Sequence, residues 1–181
     1  MSQALHRSIA ALFGLLFLAF VLLNTAAYAE LYTLGPGDTI SINVFQESDL
    51  SLESKISHNG TIDYPLIGEL KMQGLTLAEA ESLLDKKLRG DYLIDPQISI
   101  SIVSYRPFFV NGAVKSPGRF EYQPGMTVRR AVVVAGDFTD RASRSKIYII
   151  KEGQSSDSRK KIKLDEPIGP GDTITVKESL F

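Results

Sequence analysis

The feature that most constrains the fold is a short segment that occurs twice, as "LGPGDTISI" at residues 34–42 and "IGPGDTITV" at residues 168–176. In Gly-Pro-Gly-Asp the proline fixes φ at about −65° and the next glycine accepts a positive φ, so each copy predicts a type II turn. Apolar and polar residues then alternate, which predicts a strand with one buried face. The copies are too far apart for a solenoid period, so we expect two separate uses of one turn.

The aspartate that closes each turn has a structural role in this interpretation. Asp38 and Asp172 are expected to accept nearby backbone amides and to stiffen the start of the strand. Neither has a histidine or carboxylate neighbour at ligand spacing, so we expect no metal and no cofactor. The first copy also resembles the opening of a LysM peptidoglycan-binding module, but residues 43–60 lack the helical stripe that should follow.

Residues 31–105 predict a β-rich unit with one helix. Asn59-Gly60 lies between two short β-compatible runs and predicts a type I′ hairpin, and residues 64–74 predict a further extended segment with Pro65 near its start. Thr76 and Glu79 form a capping-box pattern before a helical apolar stripe, which predicts a helix ending near Gly90. "PQISISIVSY" at residues 96–105 is the clearest strand pattern.

Residues 106–181 predict a second α+β unit, with Arg106-Pro107 at the joint because a residue before proline is disfavoured in helices. "FFVNGAVKSPGRFEY" predicts two strands around a turn, and a helix is expected from a Thr127 N-cap to a Gly136 C-cap. Strands at residues 146–151 and 161–164 flank a polar loop at residues 152–160. The second turn starts the closing strand "TITVK". This order favours a small sheet packed on one helix.

The first 29 residues have the pattern of a secretory signal peptide. Arg7 precedes an apolar run from Ile9 to Leu23, and "AYA" at residues 27–29 supplies small side chains at the cleavage positions, so we expect cleavage before Glu30. A retained membrane anchor is the alternative, although a spanning helix requires roughly 20 apolar residues. The absence of cysteine excludes a lipobox, so we expect a protein that is not a lipoprotein.

Composition and charge argue against several function classes. A formal net charge of −1 at pH 7 does not favour a nucleic-acid partner. Ser57, His58 and Asp63 contain the residue types of a triad, but neighbouring strand residues point to opposite faces and no nucleophile elbow is present. There is no phosphate loop, zinc signature or calcium loop. We therefore expect no enzyme and no catalytic residues.

The ordered motifs resemble a known family. "YTLGPGDTISINVFQESDLS", "GTIDYPLIGELKMQGLTLAEAESLL" and "DYLIDPQISISI" resemble the polysaccharide export domain of the outer-membrane polysaccharide export (Wza-like) family. "FFVNGAVKSPGRFEYQPGMTVRRAVVVAGDF", "RSKIYIIK" and "LDEPIGPGDTITV" are similar to its soluble-ligand-binding β-grasp (SLBB) domain. The resemblance predicts a signal peptide at 1–29, an export domain at 30–105 and an SLBB domain at 106–181.

The resemblance implies a periplasmic, ring-forming component of the conduit for capsule or exopolysaccharide, associated with the outer membrane of a Gram-negative cell. Its implied partners are the secreted polysaccharide, an inner-membrane polysaccharide copolymerase with its tyrosine kinase, and a separate outer-membrane β-barrel. The barrel is expected because the sequence stops at Phe181, before the pore helix of larger members. Two alternatives stay open: a stand-alone periplasmic module that binds glycan or protein, and a polysaccharide hydrolase or lyase.

The candidate site residues fall into two groups. Arg141, Arg144 and Lys146, together with loop 152–160, are candidates for contact with the lumen or a partner, whereas Arg129 and Arg130 fit exposed helix positions. The other group is structural and consists of turn and cap residues: Gly35, Pro36, Gly37, Asp38, Pro65, Gly68, Gly112, Pro117, Gly118, Gly136, Gly169, Pro170, Gly171 and Asp172.

Overall fold

The computed structural model describes residues 32–179, so the predicted signal peptide lies outside the described residues. From Thr33 onward these residues belong to one compact unit. Strands outnumber helices, and the α+β class predicted from the sequence is confirmed. Within residues 32–179, no helix has the length and apolar character needed to cross a membrane.

The first half of the unit contains a three-stranded sheet, a separate hairpin and a helix. Strand β1 is central in the order β2-β1-β5, with both neighbours antiparallel, and β3 pairs with β4. The alternation predicted after the first turn is confirmed, because Ile40, Ile42 and Val44 are buried. The elements are β1 Thr39–Val44, a 3-10 helix Ser48–Leu50, β2 Leu52–Lys55, β3 Thr61–Tyr64, β4 Gly68–Lys71, α1 Leu77–Leu88 and β5 Ile98–Ser104.

The predicted type I′ hairpin at Asn59-Gly60 is wrong. Gly60 has a φ of 78°, but Asn59 is not among the non-glycine residues with positive φ. The Ser57 amide donates to the Thr61 carbonyl at 2.9 Å, and the Gly60 carbonyl accepts the Met72 amide at 2.9 Å. The turn is therefore shaped by the segment that follows β4. Its flanking strands are not partners, since β2 pairs with β1 and β3 pairs with β4.

The predicted extended segment at residues 64–74 is also wrong, because it contains a reversal. The Ile67 amide donates to the Tyr64 carbonyl at 3.3 Å, and both Leu66 and Gly68 have positive φ. Pro65 thus lies in the turn between β3 and β4. A positive φ at a leucine is uncommon, so the local sequence does not predict this turn.

Helix α1 follows its sequence signals closely. The Thr76 amide donates to Glu79 Oε2 at 2.8 Å and the Glu79 amide donates to Thr76 Oγ1 at 3.2 Å, which confirms the capping box. Gly90, with a φ of 91°, follows the C-cap. The buried face consists of Ala80, Leu84 and Leu88. Glu81 accepts the Ile100 amide at 2.8 Å, so the helix also satisfies an outward-facing donor of the edge strand β5.

The second half of the unit is a five-stranded sheet with the order β7-β6-β10-β8-β9 and one short helix. Its only parallel pair is β6 with β10. Fifteen buried apolar residues between Phe108 and Val176 form its core cluster, including Val128, Ala131 and Val132 of the helix. The elements are β6 Phe108–Gly112, β7 Gly118–Phe120, α2 Val128–Val134, β8 Ala142–Ile150, a 3-10 helix Ser156–Ser158, β9 Lys160–Lys161 and β10 Thr173–Glu178.

Two of these strands differ from the predicted bounds. Strand β8 starts at Ala142 rather than at residue 146, and β9 ends at Lys161 instead of continuing to residue 164. The chain leaves the sheet early because its next carbonyls are used elsewhere. The Arg129 amide donates to the Leu164 carbonyl at 2.8 Å and the Val128 amide to the Glu166 carbonyl at 3.1 Å, which satisfies the first amides of α2.

Tyr64 makes stability depend on pH at high pH. Its ring is buried, its hydroxyl donates to the Leu50 carbonyl at 2.6 Å, and burial raises its pKa from 10.0 to about 12. Because the pKa is higher in the folded protein, the contribution of Tyr64 to the free energy of unfolding is complete below pH 10. It falls as pH rises towards 12, by about 1.4 kcal/mol per pH unit. Urea unfolding from pH 8 to 12 should show this fall in the free energy of unfolding. The fall should be smaller in Tyr64→Phe, and parallel curves would contradict the assignment to Tyr64.

Candidate functional site

The two Gly-Pro-Gly-Asp turns have the predicted geometry. The glycine at the third position has a φ of 98° in the first copy and 80° in the second. The Asp38 amide donates to the Gly35 carbonyl at 3.2 Å, and the Asp172 amide donates to the Gly169 carbonyl at 3.4 Å. Each carboxylate in turn accepts the amide of the first glycine, at 2.8 Å for Asp38 and 2.7 Å for Asp172. Both predicted type II turns, with their aspartate caps, are confirmed.

The first turn also holds Arg106, which the sequence places at the joint between the two units but does not predict to be buried. Asp38 is fully buried and Arg106 has a side-chain exposure of 11%. One carboxylate oxygen of Asp38 accepts the Arg106 amide at 2.7 Å, and the other accepts Arg106 Nη1 at 2.8 Å. A buried charge needs this kind of complete pairing. Asp38 therefore fixes both the backbone and the side chain of Arg106, which lies between the end of β5 and the start of β6.

The second turn contacts the same position from the other sheet. The Gly171 amide donates to the Pro107 carbonyl at 2.9 Å. Asp172 Oδ2 accepts Lys151 Nζ at 2.7 Å, and Asp172 Oδ1 accepts the Glu152 amide at 3.4 Å. Asp172 is almost completely buried. The second turn thus orders the end of β8 as well as the start of β10.

Glu152 connects the two turns. Its Oε2 atom accepts Arg106 Nε at 2.7 Å, while its backbone amide is bound to Asp172. We call Asp38, Arg106, Lys151, Glu152 and Asp172 the junction. The sequence assigned Glu152 to a polar surface loop, whereas its side chain belongs to this ion-pair chain. The two turns are separate in sequence, but both contact Arg106-Pro107.

A cleft of about 350 Å³ lies beside the junction. The ends of strands in the first sheet line it on one side, and β7 with the chain that follows it lines it on the other. The rings of Tyr105 and Tyr122 meet edge to face in its wall, with centroids 5.5 Å apart. Burial raises the pKa of Tyr122, and the nearby Tyr105 and Asp172 raise it further. The Tyr122 phenol is therefore a neutral hydrogen-bonding group at physiological pH.

The predicted basic cluster lies near the start of β8. Arg141 and Arg144 are exposed and Lys146 is half-buried. The Arg144 guanidinium lies over the Phe138 ring, 5.5 Å from its centroid, and the Arg141 carbonyl accepts the Ser179 amide at 2.7 Å. Their role as lumen or partner contacts stays a prediction. Arg129 is exposed as expected and pairs with Asp165 at 2.9 Å.

The remaining candidates do not assemble into a reactive site among the described residues. His58 and Asp63 are exposed, and Ser57 bonds to Thr61 at 3.0 Å. Within residues 32–179, no group of three or more histidine, aspartate or glutamate side chains is arranged to hold a metal ion. Instead, the junction and the cleft present hydrogen-bonding, cationic and aromatic side chains in fixed positions.

Comparison with known proteins gives matches over most of the chain. The family model "Polysaccharide biosynthesis/export protein" matches residues 26–103, and the model "SLBB domain" matches residues 107–163. "Exopolysaccharide production protein ExoF" of Rhizobium meliloti is 29% identical over 177 residues, covering 85% of this chain and 42% of that protein. "Polysialic acid transport protein KpsD" of Escherichia coli is 21% identical over 131 residues, covering 71% of this chain and 24% of that protein. The matches therefore span less than half of either relative.

Proposed function

Because the chain belongs to the polysaccharide export family and carries an SLBB domain, we propose that it is a periplasmic component of a conduit for capsule or exopolysaccharide. The observation that carries this proposal is the order of the two matches, the export model at residues 26–103 followed directly by the SLBB model at 107–163. The named relatives act in exopolysaccharide production and polysialic acid transport. Both names refer to a polysaccharide.

The role of the chain is passage rather than chemistry. The protein works at the outer membrane of a Gram-negative cell, with the export domain at residues 30–105 and the SLBB domain at 106–181. It works with an inner-membrane copolymerase and its tyrosine kinase, which supply polymer to the conduit. The junction supports this two-domain arrangement, because the Asp38–Arg106 pair holds the segments on either side of Arg106 in one arrangement.

Assembly as a ring requires two different surfaces that meet between neighbouring copies. Among the exposed apolar side chains of residues 32–179, two groups are candidates for these surfaces. One contains Leu66, Tyr92 and Ile94, where Ile94 is 94% exposed and the Tyr92 hydroxyl donates to the Leu66 carbonyl at 3.1 Å. The other is the exposed pair Val133 and Val134 in α2. Grouped apolar side chains are typical of interaction surfaces, so these two regions are the proposed contacts of the ring.

Deletion of the gene in the bacterium that encodes this chain tests the proposal. We expect polymer outside the cell to fall while polymer retained in the envelope stays constant or rises, because synthesis continues without an exit. A strain lacking a glycosyltransferase for the same polymer is the control, since it loses both fractions. Unchanged secretion with continued synthesis would reject the export role.

A further inference from the structure

The cleft beside the junction has a polar row along one side. In β1, Thr39 is the register partner of Lys55 in β2 and of Ser104 in β5. Cross-strand partners have Cβ atoms roughly 5 Å apart, so an ammonium group and two hydroxyls follow one another across the end of the sheet. All three residues line the cleft. The row can donate and accept hydrogen bonds along the length of a bound molecule.

The facing side combines charge with polar groups. Arg119 in β7, followed by Glu121 and Gln123, lines the cleft, and all three side chains are exposed. Arg119 and Lys55 make no ion pair with another residue in the range 32–179. Two available cations thus face the same space from different strands. A carboxylate between them would gain two charge-assisted hydrogen bonds.

The other groups in the cleft select for more than charge. The Glu121 carboxylate accepts hydrogen bonds, so it favours a ligand with hydroxyl donors and disfavours a bare anion. Tyr105 and Tyr122 supply aromatic surface, whose negatively polarised faces attract C–H groups that carry partial positive charge. Carboxylate, hydroxyls and polarised C–H groups occur together in an acidic sugar. The volume of about 350 Å³ lies in the usual range of small-molecule sites, about 300–1,000 Å³.

We propose that this cleft binds an acidic sugar unit of a polysaccharide, with Lys55 and Arg119 on the carboxylate and Glu121 and Gln123 on the hydroxyls. The inference rests on the proposed export function, to which it adds a ligand class and a place. The cleft also lies directly against Pro107 and Gly37. A bound sugar would therefore contact the same connection that the junction holds in place.

Calorimetric titration of the protein purified from its host tests the inference with three probes. Tetragalacturonate carries carboxylates and hydroxyls, maltotetraose is a neutral chain of the same length, and sodium sulfate is an anion without hydroxyls. We expect tetragalacturonate to bind at least about tenfold more tightly than either control, the ratio that one or two charge-assisted hydrogen bonds provide. Its affinity should fall as ionic strength rises.

Matched variants locate the binding. The double variant Lys55→Gln and Arg119→Gln should weaken tetragalacturonate binding by about tenfold or more. The control double variant, Lys160→Gln and Lys161→Gln, removes two exposed cations of β9 that do not line the cleft and should leave the affinity unchanged. Both sites are exposed, and thermal unfolding shows whether each variant keeps the native fold.

Four results would overturn the inference: no binding of tetragalacturonate, equal binding of maltotetraose, equal binding of sulfate, or equal losses in the two double variants. Any of these leaves the proposed function intact if gene deletion still blocks secretion. Conversely, the cleft double variant could weaken tetragalacturonate binding while gene deletion leaves secretion unchanged. That combination would reject the export role and support the sugar site. The two failures are therefore distinguishable.

Discussion

Asp38→Ala should lower the free energy of unfolding by about 3–5 kcal/mol, the loss typical of breaking a buried ion pair from one side. The substitution leaves the Arg106 guanidinium, 11% exposed, without its buried carboxylate. It also removes the acceptor of the Gly35 and Arg106 amides. Urea unfolding monitored by circular dichroism measures the change.

The control for this variant is Asp165→Ala, which removes the partner of Arg129. That pair is exposed on both sides, at 57% and 83%, so we expect a loss below about 1 kcal/mol. In addition, Asp38→Ala combined with Arg106→Leu should be more stable than Asp38→Ala alone, since no buried charge is left uncompensated. Similar small losses for Asp38→Ala and Asp165→Ala would contradict the structural role of the junction.

Gly112→Ala should destabilise the second sheet by about 3 kcal/mol, the combined cost of backbone strain and overpacking. Gly112 ends β6 with a φ of 89°, and an added Cβ would lie 2.0 Å from the Val176 carbonyl oxygen. Val176 lies in β10, the parallel partner of β6, and its carbonyl accepts the Ala113 amide at 2.9 Å. The backbone itself must shift to admit the methyl group, so relaxation of a side chain cannot relieve the clash.

Gly118→Ala is the matched control in the neighbouring strand β7. No heavy atom lies within 4 Å of the Cβ position, and the backbone is not left-handed there. The loss should stay within about 1 kcal/mol, as for ordinary surface substitutions. Equal effects of the two substitutions in the same unfolding assay would show that the close approach of β6 and β10 is not a constraint.

The parts of the fold that were predicted from sequence depend on local signals. The capping box of Thr76 and Glu79 acts over three residues, and the apolar alternation of β1 lies within six. Each Gly-Pro-Gly-Asp turn carries its own conformational preferences and its own aspartate cap. In these cases the residues that determine the geometry are neighbours in the chain. Propensity and pattern were therefore sufficient.

The errors and omissions depend on distant partners. The turn at Gly60 is held by the Met72 and Gln73 amides, and β9 ends because α2 takes the carbonyls that follow it. Arg106 bonds to Asp38 across 68 positions and to Glu152 across 46. An arginine before a proline has no local signature that predicts burial. The junction and the cleft beside it depend on contacts between segments that are distant in the chain. The sequence alone therefore does not predict them.

The export role can be tested most directly by following newly made polymer through depletion and resupply of the protein. Cells that express the gene under a repressible promoter receive a pulse of labelled sugar after depletion, and labelled polymer is then measured inside the envelope and in the medium. The account predicts that label accumulates inside and moves to the medium when expression resumes, without further synthesis. Release of labelled polymer at the normal rate from depleted cells would contradict it.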